Sequence, residues 1–200
     1  MYINRSWNGA ASISHQLNVN YSCKYSWTLR WKPVCASTEI DLTKWLLDIP
    51  FSHDKPRAVF AARQNYGKGQ LGRVWESKLG GVWLSSAIPS QNNIKSPQLL
   101  GLSIALALIE SLEKYNVPVK LKWPNDLIVY NKKLAGFLPR VIYRGEQVRF
   151  YRVGLGLNVR NNVPFNGISL MEILGDQYSL FKNWSAQSII ALERALENFR

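Results

Sequence analysis

The sequence YGKGQLGRVW, at residues 66–75, contains three glycines in the spacing GxGxxG. In a dinucleotide-binding fold these glycines follow a strand and open a helix whose N-terminus meets the pyrophosphate. The preceding residues, AVFAARQ (58–64), have the composition of a strand. The following residues, RVWESKLGGVWLS (73–85), show no helical periodicity and instead have the composition of a second strand. The glycines therefore join two strands, which excludes the dinucleotide-binding fold.

The glycine loop, residues 66–75, nevertheless suits a phosphate group. Glycines let the backbone approach a ligand closely and present successive N–H groups to an anion. Gly67 and Gly69 supply this freedom, and Lys68 and Arg73 add positive charge. By itself the pattern is equally typical of a basic turn in a surface hairpin.

Four other stretches are predicted to be helical. Thr38 and Asp41 form a capping-box pattern, which predicts a helix over 39–48 that Pro50 ends. A second helix, over 97–115, has Pro97 in its first turn. A short helix is predicted near 169–174, and the last helix is predicted to begin near Ser185, with an apolar side formed by Ile189, Leu192, Leu196 and Phe199.

Consecutive strands fill the region between the second and third of these helices. They are separated by short turns, so neighbouring strands are predicted to be antiparallel. Because strands follow strands instead of alternating with helices, the predicted fold class is α+β. The predicted strands are VKLKW (119–123), LIVY (127–130), KLAGFLPRVIYR (133–144) and VRFYRVGLGLNV (148–159).

Composition limits the classes of function. The net charge of +12 in 200 residues indicates an acidic partner or substrate, but the basic residues are scattered, unlike a polybasic tract for nucleic acid or membranes. The apolar run at 99–109 is too short to span a bilayer. Cys23 and Cys35 form no disulfide framework, which indicates a reducing cytosol, and His15 and His53 lack the spacing of transition-metal ligands.

Four segments together resemble biotin protein ligases, in matching order and spacing. They are STE (37–39), the glycine loop, KWPNDLIVYNKKLAG (122–136) and GLGLN (154–158), and the resemblance covers roughly residues 31–199. It implies a fold similar to class II aminoacyl-tRNA synthetases and biotin synthetases, with a mixed, largely antiparallel sheet and helices packed mainly on one face. It also implies a catalytic domain at 31–200 preceded by an N-terminal extension, residues 1–30.

The resemblance implies ATP-dependent biotinylation of a lysine on the biotin carboxyl carrier protein of acetyl-CoA carboxylase, through biotinyl-5′-AMP. ATP, Mg²⁺ and biotin are the expected small molecules, and the cytoplasm is the expected location. No nucleic acid and no membrane is expected as a partner. The oligomeric state stays open between a monomer and a weak homodimer.

The resemblance assigns roles to residues that look ordinary by themselves. Lys133 alone is typical of an exposed hairpin lysine, Asn125 and Asp126 of a turn after proline, and Trp75 of the core. The implied catalytic residues are Lys133, Arg73 and Asp126. The implied biotin-binding residues are Ser37, Thr38, Gln64, Gly67, Lys68, Gly136 and Gly154, and the implied ATP-binding residues are Lys68, Gly69, Arg73, Trp75, Asn125, Lys133 and Asn158.

The chain departs from the family pattern in two respects. Gln70 occupies a position where the family's loop usually has a second arginine, which weakens the expected phosphate clamp. No helix-turn-helix domain and no C-terminal β-barrel is predicted, so the resemblance does not support a repressor function.

Two alternative functions stay open. A lipoate or octanoate ligase or transferase of the same fold is disfavoured, because Gly80-Gly81 is followed by Val82 and not by that family's histidine. A basic nucleic-acid-binding module is favoured by the net charge and the many tryptophans and tyrosines.

Overall fold

A computed structural model describes residues 9–51, 55–90 and 94–197. The five helices are α1 (Ala10–Asn20), α2 (Thr38–Asp48), α3 (Pro97–Glu113), α4 (Leu170–Leu174) and α5 (Phe181–Glu197). The seven strands are β1 (Thr28–Cys35), β2 (Arg57–Gln64), β3 (Val82–Pro89), β4 (Val119–Lys122), β5 (Asp126–Val129), β6 (Lys132–Arg144) and β7 (Gln147–Leu157).

All seven strands form one sheet, in the order β1-β2-β3-β7-β6-β5-β4. The β1–β2 pair is parallel and the other neighbouring pairs are antiparallel. The predicted α+β class and the antiparallel arrangement of the last four strands are therefore confirmed. Strand β1, which contains Pro33 and exposed basic residues at the sheet edge, was not predicted.

The main hydrophobic core lies between one face of the sheet and helices α1, α3 and α5. Helix α3 is apolar almost all round, and the Ser103 hydroxyl binds it to α5 by donating to the Ala195 carbonyl at 2.7 Å. On the opposite face α2 packs alone, placing Leu42 and Trp45 in a smaller cluster with Val59. The helices thus cover mainly one face, as expected, and much of the second face is left to the functional site.

Two predicted helix starts are wrong. The N-cap of α2 is Ser37, whose hydroxyl accepts from the Glu39 N–H at 3.3 Å, so Thr38 is already inside the helix. The last helix begins at Phe181, and Ser185 is buried within it. Ser185 was mistaken for an N-cap because N-caps usually lie at the surface end of a helix, whereas the first turn of α5 already packs in the core. Of the predicted apolar side, Ile189, Leu192 and Leu196 are buried, and Phe199 lies outside the described residues.

The N-terminal region is packed into the fold within its described part. Helix α1 buries Ile13 and Leu17 in the main core beside α5. The buried Glu193 carboxylate of α5 accepts from the Lys24 N–H at 3.0 Å and from the Trp27 indole N–H at 2.7 Å. Strand β1 begins at Thr28, so the boundary predicted at residue 31 falls inside a strand.

Candidate active site

A cavity of about 650 Å³ opens on the α2 face of the sheet. It lies between the N-terminus of α2, the glycine loop and strands β3, β5, β6 and β7. All predicted site residues except Gly67 and Asn158 line it: Ser37, Thr38, Gln64, Lys68, Gly69, Arg73, Trp75, Asn125, Asp126, Lys133, Gly136 and Gly154. Four separate segments of the sequence therefore converge on one cavity.

One end of the cavity is a hydrogen-bonded polar pocket around Thr38. The Thr38 N–H and hydroxyl both meet Gln64 Oε1, at 2.8 and 3.1 Å, and the same hydroxyl lies 2.8 Å from Ser85 Oγ. Gln64 Nε2 in turn donates to Ser77 Oγ at 2.7 Å. Buried polar groups fixed in this way suit a small ligand that carries both donors and acceptors.

Ser85 is a cavity residue that the sequence did not predict. It lies on β3 directly opposite Gly154 of β7 and is 2% exposed. Alternation along β3 could have indicated Ser85, because Trp83, Ser85 and Ala87 lie on the same face of the sheet. That alternation is hidden because β3 is buried on both faces.

The other end of the cavity holds an ion pair. Lys133 Nζ lies 2.7 Å from Asp126 Oδ1 and 4.5 Å from the centroid of the Trp75 ring. Asn125 stabilises the adjoining turn by donating from Nδ2 to the Phe137 carbonyl at 2.9 Å. Both charged side chains keep part of their surface exposed, so the ammonium group is held in place and still accessible to an anion.

Between the two ends of the cavity, the Trp75 indole packs against the backbone of two glycines, Gly136 and Gly156. Gly136 and Gly156 are opposite each other on β6 and β7. A Cβ at Gly136 would come within 2.9 Å of the indole, and a Cβ at Gly156 within 2.6 Å. Both positions therefore require glycine while the indole is there, and Gly156 is a second cavity residue that was not predicted.

Gly67 has a structural function in the glycine loop. A Cβ there would lie 2.5 Å from the Trp75 carbonyl oxygen and 2.6 Å from Ser77 Oγ. The Trp75 N–H donates to the Gly67 carbonyl at 2.9 Å and closes the base of the loop. The contact between Gly67 and biotin stays a prediction. In the structure Gly67 packs against the returning chain and is not among the residues that line the cavity.

Asn158 also lies outside the cavity lining and is 5% exposed. Its Nδ2 donates to the Lys133 carbonyl at 3.1 Å, and its Oδ1 accepts from Asn161 Nδ2 at 3.0 Å. The Lys133 N–H donates to the Asn166 carbonyl at 2.7 Å. The direct contact of Asn158 with the nucleotide stays a prediction. In the structure both ends of its amide bind protein atoms, including the backbone of Lys133.

A charged cluster lies at the end of the cavity near Ser37. Arg140 and Arg152 are opposite each other on β6 and β7, and Glu39 of α2 forms ion pairs with both, at 2.6 Å for Arg152. Arg152 also donates to Thr43 Oγ1 at 2.7 Å. Burial lowers the pKa of Arg152, and the Glu39 carboxylate opposes that shift. The cluster binds the N-terminus of α2 to the sheet.

The described ranges contain no group of three or more His, Cys, Asp or Glu side chains able to hold a metal ion. His53, one of the two histidines considered above, lies outside those ranges. No helix in the described part of the chain is both long and apolar enough to cross a membrane.

Comparison with known proteins gives the relatives of this chain. It is 36% identical over 104 residues to the bifunctional ligase/repressor BirA of Bacillus subtilis, covering 50% of this chain and 32% of that protein. It is 28% identical over 178 residues to biotin–protein ligase 2 of Arabidopsis thaliana, covering 78% and 52%. The chain thus spans about a third to a half of these relatives.

Comparison with solved structures also finds biotin protein ligases. The biotin protein ligase of Aquifex aeolicus in complex with biotin and ATP matches 88% of this chain and 71% of its own, with a TM-score of 0.67 and 28% identity. This match confirms the predicted fold, which is similar to class II aminoacyl-tRNA synthetases and biotin synthetases. The model of the biotin/lipoate A/B protein ligase family matches residues 36–158. The chain belongs to the biotin/lipoate A/B protein ligase family.

Proposed function

We propose that the protein is a biotin protein ligase, which forms biotinyl-5′-AMP from biotin and ATP and transfers the biotinyl group to a lysine of a biotin carboxyl carrier domain. The observation that carries the proposal is the continuity of one cavity, from the polar pocket at Thr38 to the Lys133–Asp126 ion pair. The names of the relatives, and the A. aeolicus complex with biotin and ATP, support the same activity.

The polar pocket favours biotin over lipoate. The ureido group of biotin offers N–H donors and a carbonyl acceptor, which can pair with Thr38, Gln64 and Ser85. The dithiolane ring of lipoate offers neither group, so lipoate would forgo these hydrogen bonds, each of which contributes roughly 0.5–1.5 kcal/mol. A pocket built from fixed polar groups therefore discriminates strongly against a ligand that lacks them.

In the first step a biotin carboxylate oxygen attacks the α-phosphorus of ATP, and pyrophosphate leaves. The two reacting groups are both anions, so the step requires fixed cations and N–H donors. Lys133 supplies an ammonium group beside the indole of Trp75, which is proposed to contact adenine. Lys68 and Arg73 of the glycine loop supply further positive charge toward the phosphates.

Mg²⁺ fits this end of the cavity. Magnesium in nucleotide sites is bound by one or two carboxylates together with substrate phosphates, and not by an all-protein cage. Asp126 provides such a carboxylate and Asn125 an amide oxygen, both on the cavity wall. The ion would neutralise phosphate charge, and these two residues would hold it.

In the second step the carrier lysine amine attacks the acyl carbon of the adenylate, and AMP leaves. The attacking nitrogen must lose a proton. We assign the acceptance of that proton to Asp126, because it is a carboxylate on the cavity wall and a general base must come within hydrogen-bond reach of the proton that it removes.

We place the protein in a reducing compartment, the cytoplasm. Cys23 and Cys35 are both free thiols. Burial, with the nearby Glu193 carboxylate, raises the pKa of Cys23 to about 11. Burial, with Asp41, raises the pKa of Cys35 to about 11. Thiols that stay protonated at neutral pH are poor nucleophiles, which fits a structural use of both residues.

The test of the proposed function is the variant Lys133→Ala. We expect biotin-dependent pyrophosphate release to fall about 10²–10³-fold, the typical effect of losing one electrostatic donor, with ATP binding changed far less. Lys182→Ala, an exposed lysine on α5, is the matched control. Near-normal turnover in Lys133→Ala would refute the assignment, and lipoate-dependent turnover by the unmodified chain would favour the lipoate alternative.

A further inference from the structure

Strands β4 and β5 leave an open surface beside the cavity. Lys120 and Lys122 of β4 lie opposite Ile128 and Asp126 of β5, and both lysines are exposed. They alternate with Val119 and Leu121, which pack against the main core on the other face of the sheet. Because side chains alternate along a strand, the two lysines lie on the face that carries the cavity.

This pair, which we call the lysine shelf (Lys120 and Lys122), leads directly into the cavity. Trp123 follows Lys122 and is 59% exposed, and the next residues, Pro124 to Asp126, line the cavity wall. Neither shelf lysine lines the cavity itself. The lysine shelf therefore lies where it can contact a ligand or partner that extends beyond the nucleotide site.

The positive charge of the lysine shelf is not neutralised within the described residues. No ion pair there includes Lys120 or Lys122. Asp126, the carboxylate opposite Lys122, is paired with Lys133. An acidic partner would therefore meet two uncommitted ammonium groups, in a chain whose net charge is already +12.

We propose that the lysine shelf docks the acidic face of the carrier domain that receives the acyl group; this inference rests on the proposed function. The acceptor lysine must reach the Lys133–Asp126 pair, and its own positive charge is repelled by Lys133. The attraction between the two proteins must then come from groups outside the reacting centre. The lysine shelf lies just outside the reacting centre and can provide this attraction. The exposed indole of Trp123 adds an apolar contact, and aromatic side chains are enriched among the residues that dominate binding energy.

The form of the docking follows from the position of β4. An edge strand can add a strand from a partner, but lysines on a short edge strand discourage that pairing. Strand β4 has four residues, and two of them are the shelf lysines. The contact is therefore made by side chains, through charge, and it depends on salt.

The experiment compares two double charge reversals. Lys120→Glu with Lys122→Glu alters the lysine shelf, and Lys114→Glu with Lys182→Glu gives the same net charge with changes at exposed positions on α5 and at the end of α3. Two steps are measured separately: biotin-dependent pyrophosphate release, and transfer to a purified apo carrier domain. Both are measured at about 0.01 and 0.15 M ionic strength, where the Debye length is about 30 and 8 Å.

We expect the shelf variant to raise the KM for the carrier about tenfold or more at low salt, to lose most of the salt dependence of transfer, and to keep its rate of pyrophosphate release. The control variant should keep both steps. Equal effects of the two variants would assign the attraction to net charge and overturn the proposal. Slower pyrophosphate release by the shelf variant would overturn it by assigning the lysines to ATP. If the unmodified chain releases no pyrophosphate with biotin, the proposed function itself fails.

Discussion

Gln70 lies in the glycine loop, at the position where the resemblance to biotin protein ligases predicts an arginine. Its side chain is exposed and lines the cavity, within a short 3₁₀ turn over Gln70–Gly72. A guanidinium at this position forms bidentate contacts with phosphate or carboxylate, whereas a neutral amide offers weaker, single donors. Under the proposed function, retention of the adenylate, a reactive mixed anhydride, is therefore the property that this residue should affect.

Restoring the arginine should reduce leakage of the adenylate. Hydrogen bonds to charged groups contribute roughly 1.5–3 kcal/mol, so Gln70→Arg should retain the intermediate about tenfold better. The measurement is biotinylation of a bystander protein such as serum albumin, with enzyme, biotin and ATP, compared between the two forms. If both label the bystander equally, Gln70 does not control retention.

Some properties of single residues could be predicted from the sequence, and others could not. The motif containing Lys133 and Asp126 predicted that both residues belong to one site, and both lie within one hairpin of the sheet. The ion pair between them was not predicted, because it depends on a register shift between β5 and β6. The place of Ser85 in the cavity and the amide contacts of Asn158 were not predicted for a common reason: both depend on which atoms face these side chains across the sheet. Asn158 binds the Lys133 carbonyl, a contact between residues 25 apart that no local pattern contains.

Helix α2 connects the polar pocket to the sheet through one carboxylate. Glu39 in its first turn pairs with both Arg140 and Arg152, which lie opposite each other, and offsets one of their two positive charges. The side chain of Arg152 is only 12% exposed, so solvent screens its charge poorly. The position of Thr38, in the same turn, depends on this anchor.

Glu39→Gln should lower the free energy of unfolding by about 1–3 kcal/mol, because it leaves the guanidinium of Arg152, whose side chain is largely buried, without its carboxylate. Urea unfolding measures the change. The matched control is Glu76→Gln, whose partner Lys78 forms an exposed ion pair at 3.1 Å and should contribute at most about 1 kcal/mol. Equal losses in the two variants would show that Glu39 does not anchor the helix.

The sequence predicted elements best where periodicity was strong. The glycine loop and strands β2 and β4 to β7 were predicted within a few residues, because strand-forming residues and turn residues define them locally. Helix α1 and strand β1 were missed, since α1 has a weak apolar stripe and β1 is held by its parallel pairing with β2. Such pairing depends on contacts distant in sequence.

The whole molecule depends on its N-terminal helix for part of its core. Ile13 is fully buried against the region around α5, whereas Val19 on the same helix is 64% exposed. Ile13→Ala should therefore lower the free energy of unfolding by about 2–5 kcal/mol, as for other buried aliphatic truncations. Val19→Ala should change it by about 0.5 kcal/mol or less, and thermal or urea unfolding distinguishes them. A neutral Ile13→Ala would make α1 a dispensable extension.

The indole of Trp75, which packs on Gly136 and Gly156, gives the protein an intrinsic fluorescent reporter. Among the tryptophans that the structure describes, Trp75 alone lines the cavity, and an ammonium group lies over its ring. Indole fluorescence responds to contact with charge and with aromatic ligands, so occupation of this end of the cavity should change the contribution of Trp75 to the summed emission of the eight tryptophans. Ligand arrival can therefore be followed on the millisecond scale with no attached dye, and the order in which two substrates enter becomes directly observable.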